Sequence, residues 1–192
     1  MVMIERQKIK VIYVMGAGHS GSTLLDIILG NHPEIQSCGE LKYNNFLNKY
    51  QENCLCTCGQ KSQTCQFCNQ VIDTWKYRTG IKNIKSYQRL QKKYEDTKIP
   101  FNLNWSKSED FNQYLFYTLE FLKSLSSSSG KNIIVDSSKN PTRAFYLSLI
   151  PEIELILIHL IRDGRGVSYS IMKKNPDEKK RIKRLVFNKS TK

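Results

Sequence analysis

A glycine-rich loop near the N-terminus constrains the fold of this chain more than any other feature. Residues 9–15, IKVIYVM, form a short run of β-branched and aromatic residues that ends at Gly16. Such a run predicts a buried strand of a parallel sheet. Residues 22–30, STLLDIILG, repeat apolar side chains at helical spacing. The sequence therefore predicts a strand, a glycine loop and a helix in direct succession.

The composition of this loop predicts an oxyanion site. Gly16, Gly21 and Thr23 match the phosphate-binding pattern G-x-x-x-x-G-K-[ST], but Ser22 stands where that pattern has lysine. Backbone N–H groups at a helix N-terminus bind oxyanions without a lysine, and the hydroxyls of Ser20, Ser22 and Thr23 add donors. Without the lysine, the loop suits a phosphate or sulfate ester better than a hydrolysed nucleoside triphosphate.

Two further segments repeat this strand–loop–helix form. Residues 132–136 predict a second strand, which leads to Pro141 at the start of a helix, and residues 155–161 predict a third. Three such units predict a three-layer α/β sandwich with a central parallel sheet. Asp136, at the end of the second strand, is the candidate for holding magnesium. His159, inside the third strand, is expected to be a buried structural histidine.

The length of the chain fits one domain spanning residues 1–192, with an insertion at 43–130. The insertion is polar, with helices expected around 87–96 and 109–125, and serines 126–129 are expected to form a flexible link into the second strand. In the second of these helices, four apolar residues share one face. They are Phe111, Leu115, Leu119 and Leu122.

The formal net charge is +13 and is unevenly distributed. Residues 173–192 contain nine Lys and Arg residues but only two acidic residues. We call residues 175–192 the basic tail. Nucleic-acid binding is not indicated, because the tail lacks interleaved aromatics and any known nucleic-acid motif. No apolar run approaches the roughly 20 residues of a membrane span, and no secretory signal is visible, so the expected compartment is the cytoplasm.

Five of the six cysteines fall within fifteen residues, 54–68. Four thiolates in two close pairs can hold zinc tetrahedrally, as a reducing cytoplasm would favour. The expected ligands are Cys56, Cys58, Cys65 and Cys68, with Cys54 beside them and Cys38 apart. A pair of disulfides in an oxidising compartment is the alternative.

The first loop resembles that of a known family. The segment GHSGSTLLDIILGNHPEIQSCGE is similar to the 5′-phosphosulfate-binding loop of sulfotransferases that use 3′-phosphoadenosine 5′-phosphosulfate (PAPS). His19 replaces the basic residue usual in that family. The resemblance implies that five loop residues bind the 5′-phosphosulfate: Gly18, Ser20, Gly21, Ser22 and Thr23.

The third unit resembles the 3′-phosphate motif of the same family. In LILIHLIRDGRGVSYS, Arg162 ends a strand and Ser170 follows eight positions later on a helix. The resemblance implies that both residues bind the 3′-phosphate, since a guanidinium can grip a phosphate in bidentate fashion.

The resemblance also implies catalytic residues. Lys139, in IIVDSSKNP, matches the segment whose basic residue reaches the departing phosphosulfate, and Glu40, in SCGEL, matches the carboxylate that takes the proton of the acceptor hydroxyl. His19 is the rival base. The acceptor is a hydroxyl of a sugar, lipid, phenol or tyrosine.

The resemblance covers residues 9–42 and 131–174, and it implies a P-loop NTPase-like topology and a PAPS-dependent sulfotransferase. Members of the family usually continue well past the Arg-Asp motif, so the resemblance implies a C-terminally truncated chain. Two alternatives remain: a P-loop kinase-like phosphotransferase that lacks its lysine, and a non-catalytic nucleotide-binding module.

Overall fold

The computed structural model describes residues 8–42, 47, 55–56, 58–96 and 108–174. Cys54 and the basic tail, 175–192, lie outside these residues. The described ranges contain four strands and six helices in mixed order. They are β1 (Ile9–Gly16), α1 (Ser22–Gly30), β2 (Ile35–Ser37), α2 (Gln66–Thr79), α3 (Ile84–Glu95), α4 (Glu109–Ser129), β3 (Ile133–Lys139), α5 (Pro141–Ser148), β4 (Ile153–Leu160) and α6 (Gly164–Lys174).

The four strands form one parallel sheet in the order β2-β3-β1-β4. β1 is central, and Val11 lies opposite Ile134 of β3 on one side and Leu155 of β4 on the other. The predicted parallel α/β sheet is therefore confirmed. The short strand β2 was not predicted, because three residues between a turn and a Cys-Gly pair carry little periodicity.

Helices cover both faces of the sheet, which gives three layers. On one face, Val11 and Tyr13 of β1 are fully buried in the main core with residues of α4 and α5. On the other face, Val14 packs with Val135 and with Leu25 of α1. The alternation of side chains along β1 thus feeds two separate apolar clusters.

The described part of the insertion contributes α2, α3 and α4, of which α2 was not predicted. Trp75 of α2 is fully buried, and its Nε1 donates a hydrogen bond to the Tyr117 carbonyl of α4 at 2.9 Å. The predicted apolar face of α4 is confirmed, with Phe111 at 2% and Leu122 at 0% exposure. Large aromatic side chains therefore join the insertion to the main core.

The prediction of a flexible serine link at residues 126–129 is wrong. α4 continues through Ser129 and ends at Gly130, which takes the left-handed conformation at φ 69°. The hydroxyls of Ser127 and Ser129 donate to the carbonyls of Ser124 and Ser126, both at 3.2 Å. Serine can satisfy its hydroxyl inside a helix in this way, so composition alone led to the wrong expectation.

β4 lies at an edge of the sheet and pairs with β1 alone among the described strands. Ile156 and Leu157 are 41% and 50% exposed. His159 is also exposed, so the expectation of a buried structural histidine is wrong, because β1 is the one strand beside β4 in the described part of the chain. Among the described residues, none of the helices has both the length and the apolar content to cross a bilayer.

Candidate functional site

A cavity of about 460 Å³ lies at the edge of the sheet where β1, β3 and β4 end. Ligand sites of open α/β sheets form in this position, outside the carboxyl ends of the strands. Ten residues from four separate parts of the sequence line the cavity: Gly18, His19, Gly21, Ser22, Thr23, Leu24, Glu40, Lys139, Arg162 and Ser170.

The glycine loop forms one wall of the cavity. Gly16 packs so closely on β4 that an added Cβ would lie 2.4 Å from the Leu160 carbonyl oxygen. Gly21 occupies the N-cap position of α1 with φ 99°, a conformation that other residues rarely adopt. These two glycines bring the N-terminus of α1 to the cavity. Because the first turn of α1 has no acidic residue, its positive dipole end is free to attract an anion.

Four of the five residues predicted to bind a 5′-phosphosulfate line the cavity, namely Gly18, Gly21, Ser22 and Thr23. Ser20 does not line it and is only 9% exposed. Ser22 is 5% exposed, but it faces the cavity from the first helical position of α1. The loop thus offers hydroxyl groups from the two consecutive positions where the phosphate-binding pattern has Lys-[ST].

Lys139 and Glu40 meet at a second wall of the cavity, although 99 positions separate them in the sequence. The Lys139 ammonium forms an ion pair with the Glu40 carboxylate. Lys139 ends β3 with φ 64°, an uncommon conformation for a residue with a side chain. A main-chain turn in this conformation directs the chain into α5 while Lys139 stays at the cavity. The two predicted catalytic residues are therefore neighbours.

Arg162, His19 and Ser170 connect the glycine loop to the segment after β4. The Arg162 guanidinium donates to the His19 carbonyl at 2.9 Å. The Ser170 hydroxyl lies 3.4 Å from Nδ1 of the His19 ring. His19, at φ 64°, thus touches both residues that were predicted to bind a 3′-phosphate. The two predicted anion-binding segments are adjacent parts of one cavity.

The charge of the cavity lining favours an anion. Two cationic side chains, Lys139 and Arg162, and one carboxylate, Glu40, are found among the ten lining residues. The dipole of α1 adds partial positive charge at the loop. The Lys139 ammonium is already paired with Glu40. The Arg162 guanidinium has further N–H donors beyond the one bonded to His19, so it is the main cationic group facing a ligand.

Asp136 does not serve this cavity. Its side chain is fully buried, and its Oδ2 accepts a hydrogen bond from Nε of Arg143 at 2.8 Å. Its Oδ1 accepts from the backbone N–H of Ser138 at 3.0 Å and of Leu41 at 3.4 Å. With both oxygens engaged in the core, Asp136 is a structural residue, and the expectation that it could hold magnesium is wrong.

A cluster of thiols lies in the insertion, apart from the cavity lining. The sulfurs of Cys56, Cys65 and Cys68 are buried and lie within 4.8 Å of one another, so they could hold a metal ion. Cys58 is exposed, and its sulfur lies 3.6 Å from that of Cys65. None of the five described cysteines forms a disulfide. Burial, with the nearby charges of Asp136, Asp26 and Cys56, raises the pKa of Cys38.

Some features of the cavity had little signal in the sequence. Leu24 lines the cavity, although its spacing in α1 equally suits a core position. The bond from Arg162 to the His19 carbonyl depends on backbone geometry that no residue pattern specifies. The contact of Glu40 with Lys139 could be anticipated only from the shared role that the family resemblance gives them.

No protein-family model, no curated protein and no solved structure matches this chain.

Proposed function

We propose that this protein is a sulfotransferase that transfers the sulfuryl group of PAPS to an acceptor hydroxyl. The observation that carries the proposal is the convergence of Thr23, Lys139 and Arg162 on one cavity, from three strand ends of a parallel sheet. These are the segments whose sequences resemble the donor-binding and catalytic segments of PAPS-dependent enzymes.

The donor carries two anionic groups on one ribose, the 5′-phosphosulfate and the 3′-phosphate. In the proposal, the loop from Gly18 to Thr23 binds the 5′-phosphosulfate through backbone N–H groups and hydroxyls at the N-terminus of α1. Arg162 and Ser170 bind the 3′-phosphate. The cavity volume of about 460 Å³ lies within the usual range for small-molecule sites.

Lys139 and Glu40 share the chemical step. The Glu40 carboxylate accepts the proton of the acceptor hydroxyl, and the acceptor oxygen forms a bond to sulfur. The bond between sulfur and the bridging 5′-phosphate oxygen breaks, and the electron pair leaves with 3′,5′-adenosine bisphosphate. Lys139 moves from Glu40 to the leaving phosphate, where fixed positive charge stabilises the developing negative charge. This exchange releases Glu40 to act as the base.

The ion pair between Lys139 and Glu40 supports this division of roles. The two groups are in contact, and both line the cavity, so the two residues of the proposed chemical step lie at one wall of it. His19 is the alternative base. Its ring is engaged with Ser170 on the side assigned to the 3′-phosphate, which favours Glu40 for the proton transfer.

A P-loop kinase-like phosphotransferase is the second candidate, because Gly16, Gly21 and Thr23 match a phosphate-binding pattern. Two features favour the sulfotransferase over it. Ser22 replaces the lysine that contacts terminal phosphates. Asp136 lies in the middle of β3 rather than at its end as expected, and it is fully engaged with Arg143 and the adjacent backbone. A non-catalytic nucleotide-binding module would use the same cavity without a transfer step.

Isothermal calorimetry and a transfer assay separate these candidates. If the protein is a sulfotransferase, 3′,5′-adenosine bisphosphate should bind without magnesium. Labelled sulfate should also pass from PAPS to at least one acceptor in a panel of sugars, lipids, phenols and tyrosine peptides. A preference for magnesium ATP would favour the phosphotransferase. Bisphosphate binding without transfer to any acceptor would favour the binding module.

A further inference from the structure

We propose that the thiol cluster of the insertion is a structural zinc site with four cysteine ligands, Cys56, Cys58, Cys65 and Cys68. This site is separate from the anion cavity, whose lining contains none of these cysteines. The proposal therefore holds or fails independently of the proposed transfer reaction.

The spacing of the sulfurs fits one shared metal ion. Four thiolates at the usual zinc–sulfur distance of about 2.3 Å lie roughly 3.8 Å apart at the corners of a tetrahedron. The sulfurs of Cys58 and Cys65 are 3.6 Å apart, and those of Cys56, Cys65 and Cys68 are within 4.8 Å of one another. A disulfide would need about 2.05 Å and would use two sulfurs at a time. The sulfurs of Cys56, Cys65 and Cys68 lie together, and that of Cys58 lies beside Cys65, which favours one shared metal over two separate bridges.

The first two ligands lie on a tight turn. Leu55 and Lys61 pair as an antiparallel bridge, and Gly59 closes the turn with φ 84° while its N–H donates to the Cys56 carbonyl at 2.9 Å. The Cys56 N–H donates to the Gln60 carbonyl at 2.8 Å, so a second main-chain hydrogen bond holds the turn. Hydrogen bonds around a metal site hold its ligands in position.

The other two ligands lie at the start of α2. Cys65 occupies the N-cap position and Cys68 lies in the first turn, so both sulfurs are near the positive end of the helix dipole. The first turn contains no acidic residue, and the Cys65 side chain makes no capping hydrogen bond there. Four thiolates and one zinc ion carry a net charge of −2, which supplies the negative charge that the helix start otherwise lacks.

A metal at this position would join α2 to the turn that Leu55 and Lys61 close. Three ligands are buried in the main core, and Cys58 is exposed on the outer side. A site closed by four protein ligands leaves no open position for substrate, which indicates a structural rather than a catalytic ion. Since α2 carries the buried Trp75, the ion would fix the insertion against the core.

Elemental analysis of the full chain, purified under reducing conditions from zinc-supplemented cells, tests the proposal. We expect one zinc per chain. After exchange of zinc for cobalt(II), we expect thiolate-to-cobalt charge transfer and the strong visible bands of a tetrahedral site. Less than a tenth of an equivalent of zinc, or an octahedral cobalt spectrum, would overturn the proposal. So would a mass loss of two hydrogens per bond in the chain purified without reductant, which would show disulfides instead.

Cysteine variants identify the ligands. The double variant Cys65→Ser/Cys68→Ser leaves only two of the four sulfur ligands and should abolish the cobalt bands. Cys58→Ser should keep three sulfur ligands but weaken zinc binding by about 100-fold or more. This loss is larger than the usual effect of removing a residue that only hydrogen-bonds a metal ligand. Cys38→Ala is the matched control, because Cys38 is buried nearby but is not a proposed ligand, and it should bind zinc as the unmodified chain does. If variants fold poorly, the stoichiometry and cobalt spectrum of the unmodified chain decide the matter alone.

Discussion

The Arg162 guanidinium donates a hydrogen bond to the His19 carbonyl at 2.9 Å, and this bond ties the segment after β4 to the glycine loop after β1. β1 and β4 are neighbouring parallel strands whose last residues, Gly16 and Leu160, lie opposite each other. The loops that follow them are consequently adjacent. In the proposed complex, Arg162 binds the 3′-phosphate, so the bond to His19 positions its guanidinium in advance.

Substitution of Gly16 by alanine should destabilise the protein. The added Cβ would lie 2.4 Å from the Leu160 carbonyl oxygen, which is backbone and has little room to move. We expect a loss of about 1–3 kcal/mol in the free energy of unfolding, measured by urea denaturation. Gly18→Ala is the matched control, since a Cβ added at Gly18 would meet no atom within 4 Å, and it should change stability little. Equal losses in the two variants would contradict the close packing of β1 on β4.

Substitution of Arg143 by methionine should destabilise the core strongly. Arg143 is fully buried and bonds Asp136 at 2.8 Å and Glu95 at 2.6 Å. Removal of the cation leaves two buried carboxylates without their partner, which typically costs about 3–5 kcal/mol. Urea denaturation measures the loss. Arg165→Met, at a 93% exposed side chain, should change stability by less than about 0.5 kcal/mol. A similar small change for Arg143→Met would contradict the buried network.

Substitution of Asp26 by asparagine should give a variant whose stability, relative to that of the unmodified chain, increases with pH. Burial raises the pKa of Asp26 above its ordinary value of 3.8, although a hydrogen bond from Ser37 at 2.5 Å opposes this. The folded state therefore holds the Asp26 proton more tightly than the unfolded state, and the unmodified chain loses stability as pH rises through the folded pKa. Asparagine does not titrate, so the variant escapes this loss.

Melting temperatures of both proteins between pH about 4 and about 7 measure this effect. The difference, variant minus unmodified chain, should grow by roughly a few degrees across the range. A difference that stays constant or shrinks would show that the pKa of Asp26 is not raised by folding.

Substitution of Glu40 by glutamine should separate catalysis from donor binding. In the proposed reaction, Glu40 accepts the proton of the acceptor, so its loss should lower kcat by about 10²–10⁴-fold. Bisphosphate affinity should remain similar or increase slightly, because Lys139 loses its anionic partner and can contact the ligand phosphate. Steady-state transfer kinetics and calorimetry provide the two readouts. Retention of full kcat would remove Glu40 from the base role and favour His19.

The sheet could be predicted from the sequence because residues close together in the chain specify each strand and the turn and helix that follow it. Each of the runs in β1, β3 and β4 is apolar and is followed by a turn and a helix, which is the repeating unit of a parallel sheet. The helical state of serines 126–129 and the edge position of His159 depend on tertiary context instead. β2 has only three residues, too few to carry a period.

Most residues that line the cavity were named from the sequence, but their contacts were not. Glycine and hydroxyl residues between a strand and a helix indicate an anion loop from chemistry alone. The ion pair of Lys139 with Glu40 depends on where β3 ends relative to the turn after β2. The full burial of Asp136 depends on Arg143, a residue on the following helix with no distinguishing sequence pattern.

Magnesium-free calorimetry measures whether Arg162 binds a 3′-phosphate. The ligands are 3′,5′-adenosine bisphosphate and adenosine 5′-monophosphate, and the proteins are the unmodified chain, Arg162→Ala and Arg165→Ala. Arg165 lies three positions from Arg162 but pairs with Asp163 away from the cavity lining, so it is the matched control. We expect the unmodified chain to bind the bisphosphate more tightly than the monophosphate. Arg162→Ala should weaken the bisphosphate by about 10- to 100-fold and largely remove that preference, while Arg165→Ala retains it. Equal affinities for the two nucleotides in the unmodified chain, or equal losses in the two variants, would contradict the account.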